Sequence, residues 1–252
     1  MTENTADNRR PLKTRSHAWA NRLAVYLAER YITPNQISLF SMVFAAIGMI
    51  GAIFWNMLGF TALQVFFLLL VIIGVQGRLL CNLLDGMVAI EGGRKTPAGE
   101  LYNDIPDRVS DALILVGLGV GLASTMPFAV VLGFLAALLA VLTAYIRVLG
   151  VSVGTPSYFL GPMAKPHRMA LVTGGAALTI VSLFYAEQYS AWIFYLVLVI
   201  VIVGSAFTCV RRIVKIKDFL EERAQQENSA PETPEVPEIT EVPEAAPEAD
   251  KT

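Results

Sequence analysis

Residues Arg78–Asp111 read RLLCNLLDGMVAIEGGRKTPAGELYNDIPDRVSD. This run sets acids, amides, glycines and bases between two stretches apolar enough to cross a bilayer. Ionisable groups at such depth are costly unless they pair, face water or hold a ligand. The stretch therefore places a polar site inside a helical membrane bundle, with Asp85 and Asp107 as its first candidates.

Outward from it, apolar segments recur at about 37–55, 63–80, 109–124, 127–146, 169–185 and 191–210. Lengths near 20 residues suit single helical crossings. Hydrophobic residues make up 55% of the chain and charged residues only 16%, with a mean hydropathy of +0.57. A soluble domain carries about 25% charged residues, so a soluble bundle is disfavoured. Charge placement tests the same division independently. With a cytoplasmic N-terminus the inward segments are 1–36, 81–108, 147–168 and 211–252. All 19 Lys and Arg then lie in them, save Arg78, which lies three residues away. The outward connections hold only Glu187, as the positive-inside rule expects. The expected fold is an all-α integral membrane protein with six transmembrane helices and both termini cytoplasmic, in a bacterial inner (cell) membrane.

Three regions differ in composition. Residues 1–15 are polar, and the start of the chain lacks the apolar core of a signal peptide. From Ser16, SHAWANRLAVYLAERY spaces Trp19, Leu23, Tyr26 and Leu27 for an amphipathic helix lying in the interface. One membrane domain is expected over 16–220. Residues 221–252 are assigned to an acidic Pro/Glu-rich tail with nothing to bury. Residues 225–252 contribute −7 to a total of −2, which leaves the rest at +5 and suits phosphate-bearing lipid partners rather than nucleic acid. Two Cys and two His give no credible zinc site, and GGRKT lacks the spacing of a phosphate loop.

Within the central stretch, Asn82 and Asp85 lie three apart on one helical face, followed by Gly86. Asn103 and Asp107 are four apart, and Asp104, Asp107 and Asp111 share a narrow arc. Two antiparallel helices with facing oxygen donors hold one or two hard divalent ions, which neutralise a diphosphate. A neighbouring carboxylate then takes a proton from an attacking alcohol.

Asp85–Gly86, Ala89, Gly99 and Asp107 resemble the signature of the CDP-alcohol phosphotransferase family: Asp, two residues, Asp-Gly, two residues, Ala-Arg, eight residues, Gly, three residues, Asp, three residues, Asp. The four acidic positions fall on Asn82, Asp85, Asn103 and Asp107 without insertion. YITPNQISL at Tyr31–Leu39 and GPMAKPHR at Gly161–Arg168 are also similar to family elements. The resemblance covers about 31–215 and carries six spans with it. It implies Mg²⁺ or Mn²⁺ as cofactor, as two ions held at Asn82, Asp85, Asn103 and Asp107, with Asp107 also the general base. It implies nucleotide contacts at Gly86, Ala89 and Gly99, with Arg94 and Lys95 beside the phosphates. Arg147, Lys165, His167 and Arg168 are then candidates for a lipid or acceptor phosphate. Homodimerisation is common in the family and compatible with the sequence.

The chain departs from the signature at three positions. Asn82 and Asn103 replace Asp, and Ile90 replaces Arg. An amide oxygen ligates a metal but brings no charge; Asp104 and Asp111 are candidates to compensate. The expected reaction is phosphatidyl transfer from CDP-diacylglycerol to an alcohol acceptor with release of CMP. GELYND at Gly99–Asp104 also looks like part of the choline/ethanolamine phosphotransferases, which move a CDP-linked headgroup onto diacylglycerol. A catalytically weakened relative and a small transporter are the remaining readings.

Overall fold

The computed structural model describes residues 18–57, 59–91 and 98–229, and among them every regular element is helical. The seven α-helices are α1 (Ala18–Glu29), α2 (Pro34–Phe54), α3 (Thr61–Glu91), α4 (Gly99–Gly121), α5 (Ala129–Ser152), α6 (Lys165–Tyr185) and α7 (Ser190–Ser229), with a short 3₁₀ turn at Glu187–Tyr189 before the last.

Local chemistry sets the start of α2. The Thr33 hydroxyl accepts from the Gln36 backbone N–H at 3.3 Å, and the Gln36 side chain accepts from the Thr33 N–H at 2.9 Å. This is a capping box, with Pro34 at the first helical position where a missing N–H costs nothing. The box fixes which residues of α2 turn inward, and Ser38 and Ser41 are both buried.

Helices α2, α3, α5, α6 and α7 are each long and apolar enough to cross a membrane. α4, at 23 residues, is not among them, because its first half carries Glu100, Asp104, Asp107, Arg108 and Asp111. It nevertheless packs against α2 and α5 in the centre of the bundle. Small residues permit this: a Cβ on Gly119 would lie 2.6 Å from the Ala129 carbonyl oxygen and 2.8 Å from Gly133 Cα. Side chains are dispensable where packing between apolar helices depends on close backbone approach. The core holds Trp55, Leu68, Ile114, Leu118, Met169, Phe194 and Leu198, all fully buried. Large apolar residues such as Phe40, Ile73, Leu138, Phe184 and Val203 point outward, as a lipid-facing surface requires.

The expected N-terminal helix is present as α1, and its buried residues are Ala20 and Ala24, which sit with Leu83, Leu84, Met87 and Val88 of α3. Leu23 and Leu27 are only partly covered there, while Trp19 and Tyr26 are exposed. Alanines form the contact because they let α1 lie close along α3. One expectation needs correction: residues 221–229, assigned to the acidic tail, belong to α7, which continues as a helix to Ser229. The pairs Lys217–Glu221 and Arg223–Glu227, each four residues apart, join successive turns there.

Candidate active site

The polar layer is assembled from six helices. α2 brings Ser38, α3 brings Arg78, Asn82 and Asp85, and α4 brings Asp104, Asp107 and Asp111. α5 brings Thr143 and Arg147, α6 brings Lys165 and Arg168, and α7 brings Arg212. Asp85, Asp107 and Asp111 are all at least nine-tenths buried, so each must find partners.

Asp85 accepts a 2.6 Å hydrogen bond from the Ser38 hydroxyl and lies within electrostatic range of both Asp107 and Lys165. Asp107 is the meeting point of the layer. The Asn82 amide Nδ2 donates to its Oδ1 at 2.8 Å, Arg78 stands 3.6 Å from the same oxygen, and the Lys165 ammonium pairs with Oδ2. One turn further along α4, Asp111 is gripped by Arg78 at 2.5 Å and Arg168 at 2.6 Å. Arg168 also donates to the Thr143 hydroxyl at 3.2 Å and to the Met163 carbonyl at 2.8 Å. Arg78 is fully buried and is further positioned by Met169 Sδ at 3.1 Å. A guanidinium with several acceptors suits such a place, because leaving one partner of a buried ion pair alone costs about 3–5 kcal/mol.

The residues expected to act together divide into three groups. Asn82, Asp85 and Asp107 do converge. Gly86 and Ala89 follow on α3, and Gly99 opens α4. Asn103 lies one turn before Asp107 on α4 and is exposed. Asp104 turns to Arg108 at 2.9 Å and Arg147 at 3.4 Å, and Asp111 is enclosed by two guanidiniums. Both are thus engaged by cations instead of adding charge beside Asn82 and Asn103. Among the described residues no group of three or more His, Cys, Asp or Glu is gathered for a metal ion. The oxygen donors that converge are the Asp85 and Asp107 carboxylates and the Asn82 amide oxygen, with Asn103 exposed one turn before Asp107. Hard divalent ions accept that chemistry, at a lower site charge than four carboxylates give.

The expected phosphate-binding bases have other duties in this state. Lys165 holds Asp107 and Arg168 holds Asp111, while Arg147 lies over the Phe159 ring at 5.2 Å as well as beside Asp104. His167 is exposed. Arg94 and Lys95 lie outside the described residues. Sequence reading missed Ser38, Thr143 and Arg212, whose guanidinium donates to the Leu160 carbonyl at 2.9 Å and to the Thr143 carbonyl. It took Arg78 only as a topology marker, although a lone Arg inside an apolar run is itself a signal of a polar partner.

No protein-family model matches the chain, and no curated protein matches it in sequence. Solved structures do match in fold. The phosphatidylinositol phosphate synthase of Mycobacterium tuberculosis in complex with manganese and citrate aligns with a TM-score of 0.62 at 22% identity, over 78% of this chain and 88% of that one. The same synthase with CDP-DAG bound aligns at 0.61 and 22% identity, over 78% and 92% of the two chains. Its apo form aligns at 0.60 and 22% identity, over 77% and 94%. At that identity the likeness is one of fold: this bundle shares the helical architecture of a phosphatidylinositol phosphate synthase.

Proposed function

We propose that the chain is an integral membrane CDP-alcohol phosphatidyltransferase, which moves a phosphatidyl group from CDP-diacylglycerol to an alcohol acceptor in phospholipid biosynthesis. The observation that carries this reading is the convergence of Asp85 and Asp107 from two helices, joined through Asn82, in a fold shared with a synthase solved with CDP-DAG bound. In this reading α4 is the remaining one of six spans, α1 lies along the interface, and the polar layer opens to the cytoplasm. The excess of Lys and Arg on that side supports the orientation.

The acceptor hydroxyl oxygen attacks the phosphorus that carries the diacylglycerol. The bond from that phosphorus to the oxygen of the CMP moiety breaks, and CMP leaves. The hydroxyl proton passes to the Asp107 carboxylate, which the adjacent Lys165 and Arg78 hold in place. Asn82 orients that carboxylate, and Ser38 orients Asp85. Asp85, Asp107 and the amide oxygens of Asn82 and Asn103 would hold a divalent cation, Mg²⁺ or Mn²⁺, which when bound would neutralise the diphosphate. Gly86 leaves room for the nucleotide beside α3.

The deciding experiment incubates purified protein in lipid with CDP-diacylglycerol, Mn²⁺ and a panel of alcohols. Acceptor-dependent CMP and a new phosphodiester lipid, both lost on chelation, are expected. CMP release that instead requires CDP-choline or CDP-ethanolamine with diacylglycerol would reverse the donor assignment. No turnover with either donor would reject a transferase.

A further inference from the structure

We infer that Lys165 stands in for one of the two metal ions expected at this site, so that the chain holds a single divalent cation and presents a built-in ammonium to the donor's diphosphate. The inference deepens the transfer reading above and rests on it.

Charge is the first ground. A pair of divalent ions held a few ångströms apart repels about four times as strongly as two unit charges, so such sites are built from several carboxylates. Here Asn82 and Asn103 occupy two of the four motif positions, leaving Asp85 and Asp107. Of these, Asp107 is already matched by the Lys165 ammonium, with Arg78 3.6 Å away.

The lack of a substitute is the second ground. The two further acids on α4 are committed elsewhere, Asp104 to Arg108 and Arg147, and Asp111 to Arg78 and Arg168. The polar layer thus carries its positive charge in covalently attached side chains.

Access is the third. The Lys165 side chain keeps 23% of its surface exposed, whereas Arg78 has none and Arg168 only 3%. Of the cations that pair with the three buried aspartates, Lys165 alone is placed to meet both a carboxylate and an arriving anion. It is the first residue of α6, and Pro166 next to it restricts the backbone that aims it.

The test titrates Mn²⁺ alone into the purified full-length protein, with bound ion read by electron paramagnetic resonance. Wild type is expected to bind one ion per chain. Lys165→Met should bind Mn²⁺ about tenfold more tightly, because Asp107 loses its competing cation. Asn82→Asp/Asn103→Asp/Lys165→Met should bind two, with the spectrum of a spin-coupled pair. If Lys165→Met does not fold, Lys165→Gln, which keeps a hydrogen-bond donor, should show the same tightening. Two ions in wild type, none in wild type, or unchanged or weaker affinity in the Lys165 variants would overturn the inference. One bound ion without CMP release from CDP-diacylglycerol would reject the transfer reading and leave the ion count standing. Two bound ions with CMP release would do the reverse.

Discussion

The Ser38 hydroxyl donates to Asp85 Oδ2 at 2.6 Å, tying the first turns of α2 to the central aspartate of α3. The same hydroxyl also donates toward the Pro34 carbonyl at 3.1 Å, so its proton is shared between a helix bond and a carboxylate. Hydrogen bonds to charged groups contribute about 1.5–3 kcal/mol, and the loss here falls on the orientation of Asp85. Ser38→Ala is therefore expected to fold normally, with CMP release falling about tenfold or more. Steady-state kinetics beside a thermal unfolding curve will separate that outcome from simple destabilisation.

Asp107→Asn keeps the shape of the side chain but removes the charge that Lys165 and Arg78 face. Loss of a general base typically slows a reaction by about 10²–10⁴-fold. Acceptor-dependent turnover should drop at least that far, and added acceptor should not restore it. Near-normal turnover in this variant would remove Asp107 from the chemistry.

Asp111→Asn tests stability instead. The carboxylate sits between Arg78 and Arg168 with only 5% of its side-chain surface exposed. Neutralising it leaves buried Arg168 without a carboxylate and Arg78 with only the 3.6 Å contact to Asp107, a cost of about 3–5 kcal/mol. A marked fall in the detergent melting temperature is expected. Asp104→Asn, whose partners Arg108 and Arg147 are 24% and 23% exposed, should shift it far less.

Gly74→Ala probes the packing that brings α3 to α2. A Cβ there would overlap the Gly48 backbone, which cannot move without displacing the helix. The melting temperature should fall, as overpacking commonly costs about 1–3 kcal/mol. Gly174→Ala, whose new carbon meets no atom of a neighbouring element within 4 Å, is the control in which the melting temperature should not fall.

Much of this was readable in the residues themselves. The three-residue step from Asn82 to Asp85 sets both on one face of α3. Helical period is a local property, so it survives in a linear reading. The partners of Asp104 and Asp111 were not legible, because Arg147 and Arg168 reach them from helices 43 and 57 residues further along. Charge alone made both acids look available to a metal. Tertiary pairing gives them to guanidiniums instead. The role of Lys165 was hidden for the same reason: its position beside Asp107 of α4 depends on where α6, packed on α3 and α7, sits in the bundle, which no spacing encodes. The apolar segment expected at 109–124 is the second half of α4, whose first half carries acids that lower the apolarity of the whole helix.

α7 runs 40 residues without a break, about 60 Å at 1.5 Å per residue. A hydrocarbon layer about 30 Å thick uses only half of that length. With 191–210 in the layer, the helix continues as a stiff mast for about 25 Å beyond Arg212. Its end at Ser229 thus stands about three screening lengths, at about 8 Å each in physiological salt, beyond Arg212 of the polar layer. Glu227, near that end, is held away from the buried aspartates by the length of the helix, and shortening the mast by two turns would bring its charge closer to them.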